Sequence, residues 1–321
     1  MSILFWQKKQ WQHCVSLVNQ DTLPQALLFA GPKGLGKLQF ANYFSSWLFC
    51  QSPHKIANQV PCDRCQSCLW MTTKTHPESF YVAPLEDSAV ISIDQIRELT
   101  NIMHLTPQYA QKRCIVIDQA HTLTGAASNA LLKILEEPTQ TTVFIIVSSY
   151  KQRLKPTILS RLTSVHFTSP SESEVQGVFK NVPIWALRMA QGAPLAACEL
   201  ATPELIEIRL QFIEQLSSLS AKTGDPLAIA QAWMKTNQNN ALYLFYYWLI
   251  DLISITLNKS TVLINSDQIE KLKNTAKNIA VKDLFLLLSA LEKTLIINTQ
   301  VNSRNDQLCF EDLLIQYSQI V

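Results

Sequence analysis

Charge is scarce in this chain. Of its 321 residues only 16% are Asp, Glu, Lys or Arg, and Lys plus Arg exceeds Asp plus Glu by two (27 against 25). So even a balance excludes the broad basic field of a protein that grips nucleic acid alone, and any DNA contact is expected to be local or shared with partners. The opening residues MSILFWQKKQ lack the charged head, long apolar stretch and small-residue cleavage site of a secretory leader, so a cytoplasmic location is expected. The stretch that invites a membrane reading, Ala241 to Leu257, falls short of the roughly 20 residues a bilayer core needs and carries Asp251 near its middle. It is expected to be a helix buried in a bundle, and no membrane partner is expected. Internal repeats and low-complexity tracts are absent. The eight cysteines do not suggest a disulfide framework, because a reducing compartment keeps thiols free for metal or redox work.

The chain is long enough for two or three folded units, and a hydrophobic content of 47% supplies ample core. In the first half, Leu27 to Ala30, Cys114 to Ile117 and Val143 to Val147 are apolar at every position, as suits parallel strands covered on both faces by helices. Phe80 to Ala83 and Val165 to Phe167 are weaker candidates that complete a five-stranded sheet. Helical patterns lie between them over Leu38 to Phe49, Ser92 to Met103 and Ser128 to Glu137. Ser92 and Gln95 have capping-box spacing, and Pro138 stops the last of these helices. After about Ser169 the strand signals fade. The expected division is an α/β domain over residues 1–169, a small helical lid over 170–201 and an all-α bundle over 202–321.

Gly31 to Leu38 reads GPKGLGKL, after an apolar strand and before an amphipathic helix. In that place Gly31, Gly34 and Gly36 let backbone N–H groups turn toward a phosphate, the helix N-terminus adds a favourable dipole, and Lys37 supplies charge. The alternative is a plain glycine turn. The eighth position of such a loop calls for Ser or Thr, whose hydroxyl helps hold Mg²⁺, and Leu38 cannot ligate a metal. The strand Cys114 to Ile117 delivers Asp118 where a magnesium-associated carboxylate belongs. The next residue of an active hydrolase would be a Glu that activates water, and the neutral amide of Gln119 cannot act as a base. Metal retention and water activation are thus both compromised, which puts ATP and Mg²⁺ binding by this chain in doubt.

Cys62, Cys65 and Cys68 form two overlapping Cys-x-x-Cys steps, with Cys50 twelve residues upstream of Cys62. Four thiolates close a tetrahedral Zn²⁺ site with no position left for water, so the expected metal is a structural zinc in an insert over about residues 50–68. His54 is the rival to Cys50 as fourth ligand. Cys14, Cys114, Cys198 and Cys309 read as ordinary buried thiols.

Taken in order, QALLFAGPKGLGK (Gln25 to Lys37), the four-cysteine insert, THPE (Thr75 to Glu78), IDQAHTLTGAASNALLKILEEP (Ile117 to Pro138) and TILSRL (Thr157 to Leu162) resemble the delta-prime subunits of bacterial DNA polymerase III clamp loaders, a branch of the AAA+ group. Weaker similarity continues through Ala186 to Pro194 and Asn302 to Leu314. The resemblance implies a RecA-like nucleotide-binding fold, a helical lid and a C-terminal collar bundle that holds a multi-subunit ring together. It implies gamma or tau and delta subunits as partners, with the sliding clamp and primed DNA met through the complex. Any enzymatic activity would then belong to the polymerase complex, with this chain neither polymerising DNA nor hydrolysing ATP efficiently. Ser160-Arg161-Leu162 keeps the arginine of the family's Ser-Arg-Cys triplet, which implies that Arg161 stabilises charge on a neighbour's γ-phosphate in trans. The other reading is a surface salt-bridge arginine. Where the lid of an active enzyme carries a sensing arginine, Gly192-Ala193-Pro194 is followed by Leu195, with Arg188 displaced. Ser148 and Ser149 occupy the place of a nucleotide-sensing polar residue, or are ordinary strand-end polarity. Glu136-Glu137, at a helix end that prefers cations, suggests a neighbouring subunit's basic residues or a merely solvated end. The rival function is an ATP-hydrolysing motor subunit of the gamma or tau kind.

Overall fold

A computed structural model describes residues 2–52, 59–103, 107, 109–110, 112–137, 141–236, 238–258, 262–277, 279–298 and 306–321. The chain divides into two compact units, one of Met1–Ser171 with Ala193–Ala196, the other of Glu172–Gly192 with Ala197–Val321.

The first unit carries α1 (Lys8–Asn19), β1 (Ala26–Ala30), α2 (Lys37–Phe49), α3 (Gln66–Thr73), β2 (Ser79–Val82), α4 (Ile93–Met103), β3 (Arg113–Ile117), α5 (Gly125–Glu136), β4 (Thr142–Ser148), α6 (Pro156–Leu159) and β5 (Thr163–His166). The strands form one parallel sheet in the order β2-β3-β4-β1-β5. The three inner strands are buried at every position, which is why they read as unbroken apolar runs; the edge strands β2 and β5 are partly exposed and read more weakly. Side chains alternate between two cores. Leu27 and Phe29 of β1 join Val143, Ile145 and Val147 of β4 against Trp11 of α1 and Phe40, Phe44 and Trp47 of α2. Leu28 of β1, Ile115 and Ile117 of β3 and Phe144 and Ile146 of β4 face the opposite way, onto Ile96 and Leu99 of α4 and Leu131 of α5.

The expected capping box opens α4: the Ser92 amide donates to Gln95 Oε1 (3.0 Å) and the Gln95 amide to Ser92 Oγ (3.4 Å). Pro138, expected to stop α5, lies outside the described residues.

A buried ion pair ties the edge of the sheet together. Arg113, at the start of β3, donates from Nε to Glu78 Oε2 at 3.1 Å, with the two side chains 3% and 5% exposed. Its Nη1 reaches the Ile102 carbonyl (2.8 Å), and its guanidinium lies over the Phe80 ring. His76 stacks on Phe49, one residue before Cys50, so the THPE motif connects the sheet edge to the cysteine insert.

The second unit is helical among the described residues: α7 (Glu172–Val178), α8 (Ile184–Met189), α9 (Pro194–Leu200, its first turn grouped with the first unit), α10 (Pro203–Ser220), α11 (Pro226–Thr236), α12 (Gln238–Thr256), α13 (Ile269–Ala276), α14 (Val281–Asn298) and α15 (Asp306–Ile320). Its core gathers Phe212, Phe245, Trp248, Phe310 and Tyr317. The apolar stretch around Asp251 is helix α12, and among the described residues no helix is long and apolar enough to cross a membrane. Asp251 is buried and accepts the amides of Ile264 (2.8 Å) and Asn265 (2.7 Å) and the side-chain amide of Asn265 (2.7 Å). Burial raises its carboxyl above the usual range, and those donors oppose the rise. Buried Arg209 continues this network through Asn265 Oδ1 and Asp267, its guanidinium 4.5 Å from the Trp185 ring centre.

Candidate functional site

The loop Gly31 to Gly36 follows β1 at the carboxyl end of the sheet, where ligands of open α/β folds bind. Its glycines meet two local demands. Gly34 has φ +84°, and a β-carbon there would lie 2.4 Å from Ala196 Cβ; Gly36 caps α2 in the left-handed region, at φ 73° and ψ 27°. Gly31 is the first residue after the strand. Lys37 is turned back onto its own loop, with Nζ donating to the Pro32 carbonyl (2.6 Å) and to Ser149 Oγ (3.2 Å). Burial lowers this amine to about 8, and the Asp118 charge opposes the shift. Leu38 packs half-buried against the α1–α2 core, so an apolar side chain stands where a magnesium-binding hydroxyl would be.

Two further residues fasten the loop, and sequence reasoning missed both. Gln7 Nε2 donates to the carbonyls of Leu35 (2.8 Å) and Gly36 (3.1 Å), and Trp6 Nε1 donates to Leu35 O (3.1 Å). Asp118 stands at the end of β3 as expected. Its Oδ1 accepts the Gln119 amide (2.8 Å), and its Oδ2 accepts the Tyr81 hydroxyl (3.4 Å). Burial and then the Asp118 charge push the Tyr81 phenol up to about 12, which keeps it a donor. Ser148 is buried at the end of β4 with its Oγ 3.5 Å from His121 Nδ1, while Ser149 holds Lys37.

Arg161 follows the short helix α6. Its Nη1 donates to the Thr157 carbonyl (2.9 Å) and Ser160 Oγ (3.4 Å), and its Nη2 donates to Glu136 Oε1 at 2.6 Å. Glu136 therefore has a cationic partner within the chain. That corrects the expectation that both acidic residues closing α5 wait for a neighbour or for solvent. The Arg161 side chain remains 35% exposed, while Leu162 packs at the edge of the α4–α5 core. Arg188 is engaged within the second unit. It forks onto Glu172 (2.8 and 2.9 Å), holding that carboxyl below its ordinary range, and its Nη1 reaches the Leu263 carbonyl and Ser266 Oγ.

The structure brings Cys50, Cys62, Cys65 and Cys68 together, with all four sulfurs within 4.8 Å of one another. A tetrahedral zinc with Zn–S bonds of about 2.3 Å sets its sulfurs about 3.8 Å apart, so a small contraction of this cluster closes such a site. Cys62 and Cys68 sulfurs are already 3.9 Å apart. Cys50 caps α2 and Cys65 caps α3, which fixes the insert at both ends. Backbone amides support the sulfurs: Cys65 N donates to Cys62 Sγ (3.3 Å), Cys62 N to Cys50 Sγ (3.4 Å) and Gln51 N to Cys65 Sγ (3.5 Å). Donors from Arg64 and Cys65 bring the Cys62 thiol down to about 6, while burial raises Cys50 and Cys68. These four thiols therefore fit a bound metal ion. His54 lies outside the described residues. Of the remaining cysteines, Cys14 and Cys114 are buried, and burial pushes their thiols up to about 12. Cys198 and Cys309 are partly exposed, contrary to the expectation of burial, because both lie on helices that cover the core.

Comparison with known proteins follows the same lines. A family model described as "DNA polymerase III, delta subunit" matches residues 6–171, and one described as "DNA polymerase III, delta subunit, C terminal" matches residues 203–319. Among curated relatives, the DNA polymerase III subunit delta' of Pseudomonas aeruginosa is 29% identical over 77% of this chain and 74% of its own length. That of Buchnera aphidicola from Schizaphis graminum is 27% identical over 98% of this chain and 97% of its own. The Bacillus subtilis subunit delta' is 29% identical over 81% and 80%. With the fold, the glycine loop and the cysteine insert in place, the chain belongs to the DNA polymerase III delta-subunit family, as a clamp-loader subunit of the delta-prime kind.

Proposed function

We propose that this chain is a non-hydrolysing member of a clamp-loader ring that supplies Arg161 to the ATP site of a neighbouring gamma or tau subunit. The observation that carries the reading is a contrast. Lys37 is turned onto Pro32 and Ser149 and Leu38 packs half-buried on the core, whereas Arg161, though bonded to Glu136, Thr157 and Ser160, keeps its side chain 35% exposed. A planar cation presented to a phosphoryl group stabilises the charge that develops as the bond breaks. Gly31, Gly34, Gly36, Lys37 and Asp118 are then the remains of a nucleotide site in which ATP and Mg²⁺ are held poorly or not at all.

Within this reading the chain acts in the cytoplasm, in a ring with gamma or tau and delta subunits, and meets the sliding clamp and primed DNA through that ring. Residues 1–169 serve as the nucleotide-binding-type domain, 170–201 as the lid and 202–321 as the collar that holds the ring. Polymerisation belongs to the complex as a whole. Cys50, Cys62, Cys65 and Cys68 hold a structural Zn²⁺, which supplies folding free energy to an insert too small to bury a core of its own.

The test is reconstitution of the loader from its own gamma or tau and delta subunits. Arg161→Ala is expected to depress ATP hydrolysis by the complex while ring assembly, followed by size-exclusion chromatography, persists; unchanged hydrolysis argues against the role. Turnover of ATP by the isolated chain, dependent on Mg²⁺ and abolished in Lys37→Ala, would instead establish the motor reading.

A further inference from the structure

Glu136 is a carboxylate at the wrong end of a helix. It is the last residue of α5, where the exposed carbonyls favour a cation, and the only basic residue of that turn is Lys133. The fold compensates by bringing in Arg161, 25 residues further along, whose Nη2 lies 2.6 Å from Glu136 Oε1. On its other side the guanidinium is tied by Nη1 to the Thr157 carbonyl and Ser160 Oγ. A guanidinium has five N–H donors, and these bonds use three. Among the described residues two donors remain for an incoming anion, on a side chain that is still 35% exposed.

We propose that Glu136 is a positioning residue for Arg161: together with the Thr157 carbonyl it clamps the guanidinium from two sides and presents its remaining N–H groups to the neighbour's phosphate. This rests on the reading that Arg161 acts in trans. A long, flexible side chain would otherwise have to surrender its rotamer freedom when it meets the phosphate, and the clamp removes that freedom in advance. The carboxylate also offsets part of the cationic charge. For a clamp the gain in orientation outweighs that loss, whereas for a latch holding the finger back the sign would be reversed. The two devices therefore predict opposite changes in rate.

The experiment uses the reconstituted loader carrying full-length variants, with steady-state ATPase measured at saturating and limiting ATP and ring assembly checked by size-exclusion chromatography. Glu136→Ala is expected to lower kcat about threefold to fivefold, the scale of a partly exposed ion pair, with KM for ATP and assembly unchanged. Glu136→Gln keeps a carbonyl acceptor for Nη2 and is expected to restore most of the rate. In an Arg161→Ala background, Glu136→Ala is expected to have no further effect, because its only route to the chemistry has gone. A faster or unchanged rate in Glu136→Ala, a Gln variant no better than Ala, or a further loss in the Arg161→Ala background overturns the positioning role. If Arg161→Ala slows the complex and Glu136→Ala does not, the finger stands and the clamp falls. If Arg161→Ala itself is without effect, both fall.

Discussion

Replacing Arg113 by Met removes one member of a buried ion pair and leaves the other in place. Glu78 and Arg113 are 5% and 3% exposed, so the carboxylate loses its guanidinium in a setting that water barely reaches. The same change deletes the hydrogen bond to the Ile102 carbonyl and the contact over Phe80. Breaking a buried pair from one side costs about 3–5 kcal/mol. For a unit of this size each kcal/mol moves the midpoint by about 2–4 °C, so Arg113→Met is expected to lower the Tm by about 6–20 °C. The double variant Arg113→Met, Glu78→Met removes both charges and keeps apolar volume, and is expected to recover most of the loss. Differential scanning calorimetry of the full chain provides both numbers. Because Cys114 N also bonds to the Glu78 carbonyl, and His76 stacks on Phe49 beside Cys50, the single variant is expected to release bound zinc faster as well. A Tm drop of less than about 3 °C in the single variant, or a double variant no better than the single, refutes the assignment of a tightly desolvated pair.

The protein purified from zinc-supplemented cells is expected to carry one zinc per chain, and Cys68→Ser to carry little, by elemental analysis; full occupancy in the serine variant counts against the four-sulfur site. Lys37 has a folded pKa of about 8 against an ordinary 10.5, so between those values the unfolded chain binds more protons and stability rises with pH. Lys37→Met is expected to flatten that rise in a Tm series from pH 7.5 to 10, and equal slopes in the two proteins would contradict it. Arg209→Met strands buried Asn265, half-exposed Asp267 and the face of Trp185, and is expected to cost about 3 kcal/mol in urea unfolding of the full chain. A loss below about 1 kcal/mol would show that the network adds little.

The three inner strands were legible because burial on both faces demands an apolar residue at every position, and the sequence supplies it. The edge strands were blurred for the converse reason: β2 exposes Tyr81 and β5 exposes Thr163 and His166. The cysteine cluster was legible because ligand spacing is local, with three of its four members inside the seven residues Cys62 to Cys68. What escaped the sequence was pairing across distance. Gln7 and Trp6 reach the glycine loop from 28 and 29 residues away, and Tyr81 reaches Asp118 from 37. Glu136 left a trace, a charge of the wrong sign at a helix end, but the trace did not say which cation answered it. The partial exposure of Cys198 and Cys309 was missed because cysteine is a small, commonly buried residue whose helix phase alone does not fix its depth.

The fastening of the loop by Gln7 and Trp6 bears on how such a subunit can evolve. A single change of Leu38 to threonine would supply a hydroxyl, yet it would place that hydroxyl where a half-buried leucine now packs against the core, beside an amine parked on Pro32 and Ser149. The carbonyls of Leu35 and Gly36 would still be gripped from the N-terminal segment, and Asp118 would still hold the Tyr81 hydroxyl. If the chain is the non-hydrolysing subunit proposed above, several substitutions would have to arrive together before any one of them brought an advantage, so the path to a working hydrolase behaves as a ratchet.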